Sequence, residues 1–361
     1  VNVLMRVDAS TLIGSGHVAR CLTLAKALQG LGAQVSFACR RLAGDLSAQI
    51  AAQGWPVYRL AVEAPDDGAQ ARNAANIEAL LPWQPDIAAL AGQLPPGTCF
   101  DWIVVDHYGL DRHWEVAARP WAAQIMAIDD LANRAHEVDL LLDQNFNAST
   151  QRYAPWLEGR CRTLLGPEYA LLREEFERDA RPVRQVVERV VVNFGGMDAA
   201  GQTLKALQAL MGLAGQQVTQ VTFVAGLSNP HWAELQALVE QRPQWQLLAY
   251  SADFGQLMAA ADLFIGAAGG TTWERAALGL PTLCMAVAAN QQDNAQALAA
   301  AGVHRYLGPC AQVSVAALAE AIGELLANVE ARQRYARLSR QLVDGRGARR
   351  VAAALGGLPG S

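Results

Sequence analysis

Apolar residues recur along the chain in two alternating patterns. Short uninterrupted runs read as buried strands: Val1–Val7, QVSFAC, VYRL, DWIVVDHYG, QIMAIDD and VDLLLDQN. Between them stand stretches with helical spacing. Over His17–Leu31, the residues Val18, Cys21, Leu22, Leu24, Ala25 and Leu28 share one face, and DLSAQIAAQG repeats the pattern. Continuous apolar strands alternating with helices predict a parallel sheet covered on both faces. The grammar restarts at ERVVVNFGG. A helix containing Thr203–Leu213 follows, then strands in VTQVTFVAG and QLLAYS. The run FGQLMAAADLFIGAAGGTTWERAALGLPTLCMAV reads as helix, strand, glycine loop, helix, strand. AALAEAIGELLANVEARQRYARLSRQL predicts one or two terminal helices, and the tail GGLPGS reads as flexible.

The expected class is therefore α/β, as two successive doubly wound halves facing each other across a central cleft. Residues 1–172 form the first half, the charged segment 173–189 the crossing, and 190–345 the second half. Residues 346–361 are the end of a terminal helix and a flexible tail. A chain of 361 residues is long enough for two such cores. Apolar residues make up 52% and charged residues 17%, which argues against disorder. The formal net charge of −5 leaves no basic face for nucleic acid or an anionic bilayer, so neither is an expected partner. A phosphate ligand would depend on local devices such as helix N-termini and backbone N–H groups. The six cysteines, Cys21, Cys39, Cys99, Cys161, Cys284 and Cys310, contain no CxxC pair, so neither disulfides nor a zinc site is expected. With no leader ahead of the first strand and no apolar run of roughly 18 to 20 residues, the expectation is a soluble cytoplasmic protein.

Polar residues at the C-terminal ends of parallel strands line ligand crevices. That places Asp8, Asp106, His107, Tyr108, Asp129, Asp130, Asp143 and Asn145 near one rim, although a carboxylate at such a position is more often a helix cap or turn former. The string IGSGH sets Gly14 and Gly16 before His17 where a helix begins. Alone it reads equally as a tight turn or as a base beside a bound anion. The densest signal is Gly266–Gln292. There Gly269 and Gly270 let the backbone approach a ligand closely, and the following helix start points N–H groups at it. Thr271 or Thr272 is expected to cap the helix and offer a hydroxyl to a phosphate oxygen. Glu274 either pairs with the helix dipole or accepts hydrogen bonds from two ribose hydroxyls. The glycine pair just upstream favours the ribose role. Asn290 and Gln291, at the end of the next strand, suit sugar hydroxyls and amides because carboxamides both donate and accept.

Together, GSGHVARCLTLA, VVDHYGLD, GPEYALLREEF, NFGGMD, GAAGGTTWERAALGLP and ANQ resemble the UDP-sugar hydrolases of pseudaminic acid biosynthesis, in that family's order from the first strand to about Tyr306. The resemblance implies the glycosyltransferase-B (GT-B) fold of two facing Rossmann-like domains. It implies release of UDP from UDP-2,4-diacetamido-2,4,6-trideoxy-β-L-altrose by water, with inversion at the anomeric carbon. His17 matches the general base, and Tyr108 and Asn290 match further active-site positions. Gly269, Gly270, Thr271 and Glu274 match the nucleotide-binding loop and helix. Gly14, Gly16, Asp106, His107, Gly196 and Gln291 are candidate substrate contacts within the matching motifs. Similarity to related glycosyltransferases puts the uracil near the backbone of Ser251 and Ala252. The implied partners are a UDP-sugar and water, with no metal and no cofactor. Two segments depart from the family: MDAAGQT is a loose version of the turn after NFGG, and the long segment 42–98 has no catalytic role there. The extended C-terminal helices are candidates for a docking or dimer element.

For hydrolysis, the dipole of the helix behind His17 disfavours the imidazolium and leaves the ring able to accept a proton. Base catalysis of this kind contributes on the order of 10²–10⁴ in rate. UDP is a good leaving group, and N–H groups at Gly269–Thr272 and at Gly14–Gly16 can meet the charge on its β-phosphate. The rival readings are a glycosyltransferase with a sugar or lipid acceptor, a UDP-sugar 2-epimerase, and a non-enzymatic nucleotide-sugar-binding module.

Overall fold

The computed structural model describes residues 1–61, 82–157, 159–178, 181–213 and 220–356. The end of the expected flexible tail and the middle of segment 42–98 lie outside the described residues. The chain divides into two compact units: Val1–Arg173 with the segment from Arg346 onward, and Glu174–Gly345.

The first unit runs β1 (Asn2–Val7), α1 (Gly16–Gly30), β2 (Gln34–Arg40), α2 (Ser47–Ala52), β3 (Val57–Leu60), α3 (Trp83–Gln93), β4 (Phe100–Asp106), α4 (Arg112–Ala118), β5 (Ala122–Ile128), β6 (Leu140–Asp143), α5 (Thr150–Tyr153) and β7 (Arg162–Leu165). Its seven described strands lie in the order β3-β2-β1-β4-β5-β6-β7, every described pairing parallel. Strand β1 shows why the run is apolar throughout. Val3, Met5 and Val7 face the layer of α1 with Val18, Cys21, Leu24 and Leu28, while Leu4 faces Ile103, Val105 and Trp114 on the other side. The order of strands reverses between β1 and β4, and that crevice is where such sheets bind ligands.

The second unit repeats the plan with β8 (Arg189–Asn193), α6 (Gln202–Gly212), β9 (Gln220–Val224), α7 (Trp232–Val239), β10 (Trp245–Leu248), α8 (Phe254–Ala260), β11 (Leu263–Ala267), α9 (Thr272–Leu278), β12 (Thr282–Ala286), α10 (Gln292–Ala300), β13 (Arg305–Pro309), α11 (Val315–Ala327) and α12 (Val329–Leu342). The order β10-β9-β8-β11-β12-β13 is again parallel, and it reverses between β8 and β11.

A last helix, α13 (Gly347–Gly356), returns to the first unit. Val351, Ala352 and Leu355 join the same core as α1, and Trp102 Nε1 donates to Leu355 O at 2.8 Å. Gly347 makes this return possible, because a Cβ there would stand 2.2 Å from Ala170 O. Truncating Leu355, 3% exposed, to Ala should cost about 2–5 kcal/mol of stability. Urea titration checks this, and a loss under about 1 kcal/mol would show that α13 does not share the core.

Candidate active site

The loop between β1 and α1 is closed by hydrogen bonds of its own and tied by another to the segment after β2. Gly14 N–H donates to Ser10 O at 2.9 Å, Ile13 N–H to Ser10 Oγ at 3.0 Å, and Thr11 N–H to Ala43 O at 2.9 Å. This turn requires φ of +84° at Gly14, a conformation costly for any residue with a Cβ. Gly14, Ser15 and Gly16 are exposed, and His17 follows as the second residue of α1, only 6% exposed.

His17 meets the end of β4 across the switch point. Its Nδ1 lies 2.6 Å from Asp106 Oδ1 and 3.0 Å from Arg20 Nη2. A guanidinium can only donate, and a ring lone pair facing a carboxylate at 2.6 Å would be repelled. The hydrogen therefore sits on Nδ1 and is donated to Asp106. Arg20 spends Nη2 on Asp106 Oδ1 and Nε on Oδ2, both at 2.6 Å, and Nη1 on Asp130 Oδ2 at 3.1 Å. Burial would raise the Asp106 carboxyl, but the charges of Arg20 and His17 and the hydrogen bonds from both hold it well below the ordinary range. Tyr108 stands edge-on to His17, with ring centroids 4.7 Å apart, and its hydroxyl bonds Asp130. Burial and that carboxylate push the phenol far above its ordinary value, so the ring is a neutral wall.

The other rim residues serve the scaffold. His107 is fully buried: its Nδ1 accepts the Gly109 N–H at 2.9 Å, and Nε2 faces Asp8 Oδ2 at 3.2 Å. Asp8 in turn accepts Arg6 Nη1 at 2.7 Å and the Arg40 N–H at 2.8 Å. Asp86 completes a buried set of two cations and two anions, accepting from Arg40 Nε and Trp114 Nε1, both at 2.7 Å. Burial of these charges is tolerated because they balance. Asp129 binds Arg134 at 2.7 Å, while Asp143 takes the Tyr153 hydroxyl at 3.0 Å and is pushed up to about 7 by burial. Asn145 donates to Asp130 O at 3.2 Å.

In the second unit, the loops after β8, β9, β10, β11 and β12 carry Gly196, Gly226, Ser251 with Ala252, Gly269–Thr271 and Asn290. All lie at the C-terminal end of the sheet. The first two loops are tied by the Gly226 N–H to Gly196 O bond at 2.7 Å. Next to them, Asp198 closes the loose turn MDAAGQT by accepting the Gln202 and Thr203 N–H groups at 2.9 and 2.6 Å. Among the described residues, the amides of Gly269, Gly270 and Thr271 donate to no carbonyl. Gln291 reaches the same loop, its Nε2 standing 3.0 Å from where a Cβ on Gly269 would lie. Asn290 is exposed, and Glu274 is partly buried in the first turn of α9.

The expected side-chain cap is corrected here, since neither threonine hydroxyl caps α9. Thr272 Oγ1 donates to Gly269 O at 2.7 Å, and both hydroxyls accept from Arg275 at 3.0 Å. Arg275 is 2% exposed, also bonds Ala267 O at 3.0 Å, and lies over the Phe264 ring at 4.5 Å. Neutral groups accept its hydrogen bonds, and burial, partly offset by Cys284 and Glu274, pulls its guanidinium down to about 10. A cation buried behind three idle N–H groups favours an anion at this loop.

Two residues of the candidate site lay outside the expected set. Arg20 lies three residues after His17, a spacing that puts both on one face of α1, and that was the available signal. Arg275 carried none, because a charged residue in the first turns of a helix reads as solvent-facing.

Residues 190–348 match the glycosyltransferase family 28 C-terminal domain. The chain is 27% identical over 303 residues to the UDP-2,4-diacetamido-2,4,6-trideoxy-β-L-altropyranose hydrolase of Campylobacter jejuni, covering 84% of this chain and 97% of that protein. Among solved structures, MurG of Acinetobacter baumannii superposes with a TM-score of 0.67 at 17% identity, covering 99% of both chains. TcCGT1, solved in complex with UDP, gives 0.70 at 13% identity, again covering 99% of both. The chain is thus an α/β protein of the GT-B fold, with a second unit that matches the glycosyltransferase family 28 C-terminal domain.

Proposed function

We propose that the protein hydrolyses UDP-2,4-diacetamido-2,4,6-trideoxy-β-L-altrose at its anomeric carbon, releasing UDP and inverting the centre. The observation that carries this reading is the hydrogen bond from His17 Nδ1 to Asp106 at the first switch point. With its hydrogen committed there, the ring in its neutral form carries its lone pair on Nε2, the form in which a base takes a proton from water. Water loses a proton to Nε2 as its oxygen bonds C1, and the C1–O bond to the β-phosphate breaks with its electrons leaving on UDP. Tyr108 walls the base. Similarity to the Campylobacter jejuni hydrolase over nearly its whole length supports the substrate class.

The second unit takes the nucleotide in this reading. The Gly269–Thr271 amides and the buried Arg275 charge favour the diphosphate, Glu274 accepts from the ribose, Ser251 and Ala252 meet the uracil, and Gly196, Asn290 and Gln291 complete the contacts. The reaction needs no metal, because the amides and Arg275 meet the negative charge growing on the leaving group.

Phosphorus NMR of the protein with this UDP-sugar and no acceptor should show free UDP accumulating. UDP released only after a sugar or lipid acceptor is added would make the protein a glycosyltransferase instead. His17→Ala should lower kcat by on the order of 10²–10⁴ while calorimetric UDP affinity stays within about twofold. Lost UDP affinity in that variant would assign His17 to binding. Glu274→Ala should raise KM with little change in kcat, through lost ribose contacts. An unchanged KM would leave Glu274 as a partner of the helix dipole.

A further inference from the structure

We infer that Asp143 keeps its proton up to neutral pH and donates it to Tyr153, which makes the end of β6 a pH-sensitive joint. Tyr153 is fully buried, and its hydroxyl oxygen stands 3.1 Å from Asp129 Oδ2 and 3.0 Å from Asp143 Oδ2. Both carboxylates are fully buried as well. A phenol carries one hydrogen and so can donate to only one of them. With both ionised, the other would face the phenol oxygen lone pair to lone pair. A proton on Asp143 removes that clash. Asp143 then donates to the Tyr153 oxygen, and Tyr153 donates onward to Asp129.

Asp129 is the partner that stays charged. It accepts the Ala132 N–H at 2.9 Å, the Leu131 N–H at 3.3 Å and Arg134 Nη1 at 2.7 Å. The His136 ring, paired with Glu115 at 2.6 Å, faces it from 3.8 Å. Burial would raise its carboxyl, but these partners hold it well below the ordinary range. Asp143 has far less support. Apart from Tyr153, its side chain accepts the Asn145 N–H at 2.9 Å. The Arg152 Nη1 cation stands off at 3.8 Å and donates to Asn147 Oδ1 at 3.2 Å. On the neighbouring strand β7, uncharged Leu165 lies opposite. Burial, and then the charge of Asp130, push the Asp143 carboxyl up to about 7 against the Asn145, Tyr153 and Arg152 contacts.

This joint supports the rim of the candidate site. Asn145 Nδ2 donates to Asp130 O at 3.2 Å, Arg152 Nη2 donates to Leu131 O at 3.0 Å, and Asp130 binds Arg20 at 3.1 Å. In the unfolded chain Asp143 releases its proton in the ordinary carboxylate range, whereas folded it holds on to about 7. The stability it confers is therefore complete in acid and is lost as the pH rises through about 7.

The test is carbon NMR of the full-length protein labelled at the aspartate carboxyl carbons. One carboxyl should titrate with a midpoint of about 7, and that resonance should disappear in Asp143→Asn. Aspartate midpoints that all lie in the ordinary range overturn the inference, as does a neutral midpoint that persists in Asp143→Asn. The amide introduced by this substitution can donate to the Tyr153 oxygen and accept from the Asn145 N–H, so it keeps the protonated pattern without titrating. Its urea midpoint should therefore gain on that of the unmodified protein as the pH rises between about 5 and 7, and then level off. A gap that stays constant over this range contradicts the assignment. Neither measurement needs a substrate, so the outcome is independent of the hydrolase reading.

Discussion

The hydrogen bond between His17 and Asp106 crosses the line where the first sheet reverses its strand order, and the surrounding site depends on that crossing. It joins the loop after β1 to the end of β4, two segments 89 residues apart in sequence. Beneath it, the buried set of Arg6, Asp8, Arg40 and Asp86 fixes the end of β1, and Asp8 holds His107 next to Asp106. The His17 ring is thus set by charge-assisted bonds rooted in the sheet, and the exposed glycine loop alone does not set it. Such bonds are shorter and stronger than neutral ones and have narrow geometry.

The same constraint operates twice. A parallel sheet opens a crevice where its order reverses, and both units place their glycine loops there: IGSGH and DHYG in the first, NFGG and GAAGG in the second. The two crevices carry opposite chemistry. The first gathers carboxylates around a histidine and an arginine. The second offers idle amides backed by the buried Arg275, which suits an anion.

Much of this was legible from the pattern of residues. Continuous apolar runs marked most strands because strands buried on both faces leave no room for alternation. Strands β7 and β13 were missed because RTLL and RYLGP offer only short, part-exposed runs broken by polar residues or glycine. The return of α13 to the first unit was invisible, since its apolar face pairs with α1 more than 300 residues away, and no local signal encodes that partner. The placement of His17 and the glycine loops at strand ends was readable from spacing. Asp8, His107, Asp129 and Asp143 looked like rim groups because position on a strand end does not reveal burial. The threonines of GGTT looked like caps because their engagement by Arg275 is a side-chain choice that the backbone pattern leaves open.

Turnover in water enriched in oxygen-18 tests the central claim most directly. If His17 drives water onto the anomeric carbon, the label appears at C1 of the released sugar, whose configuration is inverted, and the UDP is unlabelled. Label in the β-phosphate of UDP, or a retained anomer, would contradict the account.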